Sequence, residues 1–205
     1  MTKIILTRHG HVDGITLQQF RGRADLPLTG RGRAQAILTA RRIAEEWRPS
    51  AIYTSPLSRC TDTGRAIAAA CNVSAEIMDG LQDLDYGDWT LKSRDAVREA
   101  WPDLYAAWLS TPHLVRMPNG ESLQDLVIRT ANGLRFVLER HPSESVVLVG
   151  HDSVNRALLL QLLDQPLSAY WRLSQDPCAL NEIDIERHRV RVHRINETGH
   201  LRSAD

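Results

Sequence analysis

Short apolar runs that stop abruptly at polar residues recur along this chain. Ile4 to Leu6 ends at Thr7-Arg8-His9-Gly10, Ala51 to Thr54 ends at Ser55-Pro56, and Ser145 to Val149 ends at Gly150-His151-Asp152. Runs of this length and content read as buried parallel strands. Between them, apolar residues recur at helical spacing. Ala34, Ile37, Leu38, Ile43, Ala44 and Trp47 follow Leu28-Thr29-Gly30, which predicts a helix with Thr29 as N-cap and Pro49 as its stop. Ser55 to Arg59 turns into a second helix running to about Ala70, and Val73 to Met78 reads as a third strand. Ser122-Leu123-Gln124-Asp125 resembles a capping box and opens a helix to about Arg140. A helix from about Ser153 to Leu163 follows the last apolar run, and a shorter one is expected around Ala169 to Leu173. Ile183 to Ile185 and Val190 to Arg194 alternate around a polar turn, as in an antiparallel hairpin, and Glu197 to Asp205 reads as a frayed tail.

This order predicts an α/β fold: a three-layer αβα sandwich with a mostly parallel central sheet and a C-terminal antiparallel hairpin. The run from Asp79 to Trp108 breaks the pattern, with Gly80, Gly87, Pro102 and the three tryptophans Trp89, Trp101 and Trp108. Residues 79–140 are therefore expected to form a small helical roof inserted over the sheet within a single domain of residues 1–205. The tryptophans are assigned to packing, with Trp89 or Trp108 available as an apolar wall.

Composition narrows the partners. The 205 residues carry 25 Lys and Arg against 25 Asp and Glu, so the formal net charge is zero. The electrostatic argument for a nucleic-acid or membrane partner is thereby removed. Cys60, Cys71 and Cys178 are an odd number without metal-ligand spacing, as expected of reduced thiols in a cytoplasmic protein. A basic leader and an apolar run of membrane-spanning length are both missing from the sequence, and a monomer or homodimer is expected.

Open α/β sheets carry their chemistry beyond the carboxyl ends of the strands. Arg8 and His9 follow the first strand, Arg59 the second, and His151 the fourth, with Gly10 free to let a ligand approach the backbone. Two guanidiniums and two imidazoles at one sheet edge suit a phosphate, which arginine meets with a planar fork of donors.

Arg8-His9-Gly10, Leu28-Thr29 with Gly32 and Gln35-Ala36, Ser55-Pro56-Leu57-Ser58-Arg59, Gly120-Glu121-Ser122 and Gly150-His151 together resemble the histidine phosphatase superfamily, and within it the phosphoglycerate-mutase-like branch. The match runs from residue 4 to about residue 160 in the family's order. The resemblance implies a metal-independent phosphomonoesterase without a cofactor, acting on a small phosphorylated metabolite. His9 would be the nucleophile and form a phosphohistidine, while Arg8, Arg59 and His151 would hold the phosphoryl oxygens. Arg21, Gly22 and Arg23 would line the substrate entrance.

Two departures matter. The family's acidic residue is usually a glutamate in a Leu-x-Glu segment, and here Leu81-Gln82-Asp83 offers an aspartate one methylene shorter. Asp83 is favoured as the general acid, with Asp152 of the His151-Asp152 pair as its rival. The family's phosphate-binding asparagine after Arg-His-Gly is missing, and Thr16 or Gln18 stands in its region. Within the superfamily the short chain, without a long insertion, resembles alpha-ribazole and broad-specificity phosphatases more than mutases.

Other readings follow from the same residues. His9-Gly10-His11 with Asp13 resembles a metallohydrolase motif, although Gly14 stands where a further histidine belongs and no metal site is expected. A non-catalytic phosphate-binding protein would keep the arginines but has no need of His9. His113, His141, His188, His193 and His200 read as surface or loop histidines. Glu121 is placed near the pocket rim, and Ser122 is given a structural role.

Overall fold

A computed structural model describes residues 1–15, 19–187 and 189–202. Its strands are β1 (Thr2–Arg8), β2 (Ala51–Thr54), β3 (Ala75–Ile77), β4 (Ser145–Gly150), β5 (Leu180–Glu186) and β6 (Arg189–Glu197). Its α-helices are α1 (Gly30–Glu46), α2 (Ser58–Cys71), α3 (Arg94–Ala100), α4 (Pro102–Ser110), α5 (Leu123–Arg140) and α6 (Asp152–Leu162). The strands form one sheet in the order β3-β2-β4-β1-β5-β6. The first four run parallel, whereas β5 lies antiparallel to β1 and β6 antiparallel to β5. The α/β architecture is the one the strand pattern predicts.

Side chains alternate between the two faces of a strand, and that alternation builds the layers. Ile4 and Leu6 of β1 join Val146 and Leu148 of β4 in a cluster with Leu123, Leu126, Val154 and Leu158 from α5 and α6. Ile5, Val147 and Val149 point the other way, onto Ala40 and Ile43 of α1 and Cys60 and Ile67 of α2. Each Ile, Leu or Val buried in this way contributes about 1.5–3 kcal/mol. Trp89, Tyr105, Trp108 and Val97, from the segment that breaks the strand-helix pattern, are buried in the same cluster as α5 and α6.

Helix starts follow local chemistry. Thr29 caps α1 by accepting from the Gly32 amide, and Ser122 and Asp125 form a reciprocal capping box at α5. Leu57 offers no side-chain cap to α2, and Asp25 from the preceding loop accepts from the Ser58 amide at 2.8 Å instead. That bond ties the loop carrying Gly22 to the turn carrying Arg59.

Two expectations need correction. The third strand is shorter than the predicted Val73 to Met78, because Asn72 adopts a left-handed conformation that ends α2 and delays the strand. The stretch from Glu197 is not frayed as far as it is described. Glu197 pairs with Leu180, and His200 bonds to Thr39 of α1 at 3.0 Å, which buries a histidine expected at the surface. Among the described residues no helix is long and apolar enough to cross a membrane.

Candidate active site

The sheet register sets the site. Arg8 pairs with Gly150 and Thr54 with Val149, so β1, β2 and β4 end at one level. The His9 amide donates to Gly150 O at 3.1 Å, and the Ser55 amide donates to Val149 O at 3.1 Å. His9, His151 and the turn toward Arg59 therefore leave the sheet side by side, with the two imidazole centroids 5.2 Å apart.

His9 is almost fully buried, and its Nδ1 lies 2.7 Å from Gly10 O. A carbonyl can only accept, so Nδ1 carries the proton and Nε2 keeps its lone pair. Burial, followed by the charges of Arg59, His151 and Arg8, holds the imidazole well below its ordinary pKa. The arrangement is a neutral imidazole with one nitrogen free to attack. A Cβ on Gly10 would collide with the Gly32 carbonyl of α1, so the glycine admits the close approach of that helix.

Arg59 is wholly buried at the start of α2. Its Nη1 donates to Ala24 O at 2.7 Å, and its Nη2 donates to Gly22 O at 2.7 Å and to Asp83 Oδ2 at 3.3 Å. Its Nε donates to His151 Nδ1 at 3.3 Å, which leaves the His151 proton on Nε2, 2.8 Å from Ser55 Oγ. Burial brings His151 down to about 3, and Arg59 and Arg8 act in the same direction against the pull of Asp83. Gly22 has a φ of +49°, and a Cβ there would press on Leu84 O, so the glycine lets its carbonyl reach Arg59. Arg8 donates through Nη1 to Gln175 O at 2.6 Å, while its buried Nε has no partner among the described residues. A buried guanidinium N–H left unsatisfied suits a site that receives an anion.

Arg8 and Asp83, but not His9, Arg59 or His151, line a cavity of about 410 Å3. Arg8, Arg21, Asp83, Asp152, Ser153 and Arg156 are among its polar lining, and Phe20, Tyr86, Tyr105, Trp108 and Trp171 are its aromatic part. Asp83 Oδ1 accepts from Ser153 Oγ and from the Leu84 amide, at 2.5 and 2.9 Å, and Oδ2 lies 3.6 Å from His151 Nδ1. Burial alone would push its carboxyl up, but His151, Arg59 and Ser153 outweigh it and hold the group below its usual range.

Asp152 lines the same cavity but gives its carboxylate to Arg156, at 3.0–3.1 Å from Nε and Nη2. Arg21 reaches Gly14 O at 3.2 Å; burial and Arg8 depress its pKa. Thr16 and Gln18 lie outside the described residues. The ring of His11 bonds Thr29 at 3.0 Å, and among the described residues no group of three or more His, Cys, Asp or Glu is placed to hold a metal ion.

Sequence reasoning missed several supporting residues. Ser55, whose bond to His151 its place in the Ser55–Arg59 motif did not reveal, and Ser153, next to the His151-Asp152 pair, bond the two groups that flank Arg59. Arg129 gave no such signal. It lies in the middle of α5, yet its side chain reaches the carbonyls of Gly80, Gln82 and Asp83.

Comparison with known proteins agrees with this geometry. The histidine phosphatase superfamily (branch 1) model matches residues 4–198. Phosphoserine phosphatase 1 of Hydrogenobacter thermophilus is 33% identical over 201 residues, covering 98% of this chain and 95% of that protein. A metal-independent phosphoserine phosphatase of Arabidopsis thaliana is 30% identical over 164 residues, 79% of this chain and 69% of that one. Among solved structures, YhfR of Bacillus stearothermophilus superposes with a TM-score of 0.92 at 26% identity, covering 98% of this chain and 100% of that one. With its paired histidines and buried arginines at the strand ends, the chain belongs to branch 1 of the histidine phosphatase superfamily and is a phosphatase.

Proposed function

We propose that this phosphatase hydrolyses a small phosphomonoester through a phosphohistidine on His9, with Asp83 exchanging the proton. The observation that carries the reading is the His9 Nδ1–Gly10 O bond at 2.7 Å, which leaves Nε2 unprotonated in a site where burial and cations keep the ring neutral. Nε2 attacks phosphorus, the P–N bond forms and the ester P–O bond breaks. The leaving alkoxide takes a proton from Asp83. Water then attacks the phosphohistidine and gives its proton to the Asp83 carboxylate, the P–N bond breaks, and inorganic phosphate leaves. Arg8 and Arg59 stabilise the charge that spreads over the phosphoryl oxygens and supply the positive charge a metal would otherwise provide, while His151 holds Arg59 by accepting from its Nε.

Asp83, held below its usual range, is ionised in the free enzyme, and substrate changes that. A phosphate dianion beside it repels the carboxylate and competes for Arg59, so both effects raise its pKa toward that of a working acid. Asp152 is less suited to the role, because its carboxylate is bonded to Arg156 rather than to Arg59 or His151.

Phosphoserine is the first substrate to try, given the names of the two relatives above. A panel of phosphoserine, alpha-ribazole phosphate, 3-phosphoglycerate and sugar phosphates, assayed with and without chelator, tests the reading. Hydrolysis should survive the chelator, an acid-labile phosphoryl group should be trapped on His9, and His9→Ala should lose about a thousandfold or more. Turnover by His9→Ala near the wild-type rate would overturn the phosphohistidine. Phosphoryl transfer between substrates exceeding hydrolysis would make the enzyme a mutase.

A further inference from the structure

The segment carrying Asp83 is irregular, yet it is gripped from two sides. On one side stands Arg129 of α5, which places every one of its N–H groups. Nη1 donates to Gly80 O and Gln82 O at 3.0 and 2.6 Å, and Nη2 donates to Asp83 O at 2.9 Å. Nε and Nη2 donate to the two carboxylate oxygens of Glu121, each at 3.0 Å. Glu121 in turn accepts from the Asp85 amide at 3.0 Å and from Arg23 at 2.7 Å. Three carbonyls before the turn and one amide after it are thus tied to a single ion pair. On the other side, Ser153 of α6 accepts from the Leu84 amide at 3.2 Å and donates to Asp83 Oδ1.

We propose that Arg129 and Ser153 are positioning residues that together aim Asp83 Oδ2, and not Oδ1, at the leaving oxygen. The inference rests on the reading of Asp83 as the proton donor. Oδ1 is held by Ser153 and the Leu84 amide, whereas Oδ2 faces Arg59 at 3.3 Å and His151 at 3.6 Å, where the phosphoryl group is handled. The resemblance puts a glutamate where Asp83 stands. An aspartate has one torsion fewer with which to find its position, so its backbone must be set more tightly. A guanidinium bonded to the carbonyls of residues 80, 82 and 83 does that, because it fixes the chain on which the short side chain is mounted. Neither Arg129 nor Ser153 takes part in proton transfer itself. They act through Asp83.

A leaving-group comparison tests this. An alkyl phosphate such as phosphoserine or glycerol phosphate needs its leaving oxygen protonated, whereas p-nitrophenyl phosphate expels a stable phenolate unaided. Because kcat/KM reports the transition state relative to free enzyme and substrate, it reads the first phosphoryl transfer. Asp83→Asn should lose about 10²–10⁴-fold in kcat/KM on the alkyl phosphate and far less on the aryl one. Ser153→Ala, Arg129→Lys and Arg129→Met should show the same selectivity at smaller size, about tenfold to a hundredfold. If Asp83→Asn is selective but Ser153→Ala and Arg129→Lys lower both substrates equally, the positioning role is wrong and the acid assignment stands. If Asp83→Asn is itself unselective, the acid assignment fails and the inference with it. Should Arg129→Met fail to fold, Ser153→Ala and Arg129→Lys decide alone.

Discussion

Arg59 Nη2 lies 3.3 Å from Asp83 Oδ2, and the arginine is entirely shielded from solvent while it bonds the carbonyls of Gly22 and Ala24. Removing one member of such a pair leaves the other charged and without its countercharge, at a cost of about 3–5 kcal/mol. Arg59→Met is expected to lose stability on that order and to lose turnover as well. The double variant Arg59→Met/Asp83→Asn should recover part of the stability and none of the activity. Urea denaturation of the two single variants, the double variant and the wild type measures the coupling. Strictly additive effects would show that the two groups do not support each other.

The two buried histidines make a pH prediction whose sign is fixed by their direction. His151 titrates at about 3 in the folded chain against an ordinary 6.5, and His9 is also lowered. An unfolded imidazole therefore binds a proton below about 6.5 while the folded one does not until near 3, so the unfolded state holds more protons in that window. Stability from this source is complete above the ordinary value and is lost as the pH falls toward the folded one. Asp83, also lowered, acts in the same direction at the acid end. Melting temperature should drop between about pH 7 and pH 5, before most carboxylates titrate, and the drop should shrink in His151→Asn. A melting temperature flat over that range would contradict the burial of two neutral imidazoles.

Much of this was legible in the sequence because it depends on local pattern. The apolar runs at Ile4, Ala51 and Ser145 end in chemistry, and parallel pairing then brings Arg8, His9, Arg59 and His151 to one edge with no further information. Arg129 was not legible, since a charged residue on an amphipathic helix looks the same whether it meets water or three carbonyls. The packing of Gly10 against Gly32 was not legible for a similar reason, because a glycine advertises a close approach but not which backbone approaches. His200 looked like tail and is instead a partner of Thr39, a contact between residues 161 positions apart.

Asp152 and Arg156 make a rigid ion pair on the cavity wall, since Arg156 also bonds Tyr170 O at 3.1 Å and lies 5.2 Å from the ring centroid of Trp171. A carboxylate held there is complementary to an ammonium or hydroxyl group on the alcohol half of the substrate. Asp152→Asn is expected to raise KM for phosphoserine and phosphoethanolamine by about tenfold, in line with about 1.4 kcal/mol for one such contact, and to leave phosphoglycolate within a factor of about two. Steady-state kinetics on the three compounds checks it. A fall in kcat on all three with KM unchanged would instead return Asp152 to contention as the proton donor.

Gly32 sits in the first turn of α1 with its amide on Thr29 Oγ1 at 3.0 Å, and a Cβ on it would collide with the backbone of His11. That backbone is the loop directly after His9, and Gln35 of the same helix holds the His11 amide at 2.9 Å. Gly32→Ala therefore has two ways to relieve the collision, by lifting α1 from the loop or by pushing the loop toward the phosphate site. Either loses close packing and should cost about 1–3 kcal/mol. A displaced loop would also disturb His9, so kcat is expected to fall together with a drop in melting temperature of about 2–12 °C. Gly30→Ala, two residues earlier with open space around its Cα, serves as the control and should change neither. Equal loss of activity in the two variants would mean that α1 tolerates alanine poorly at its start for reasons unrelated to His9.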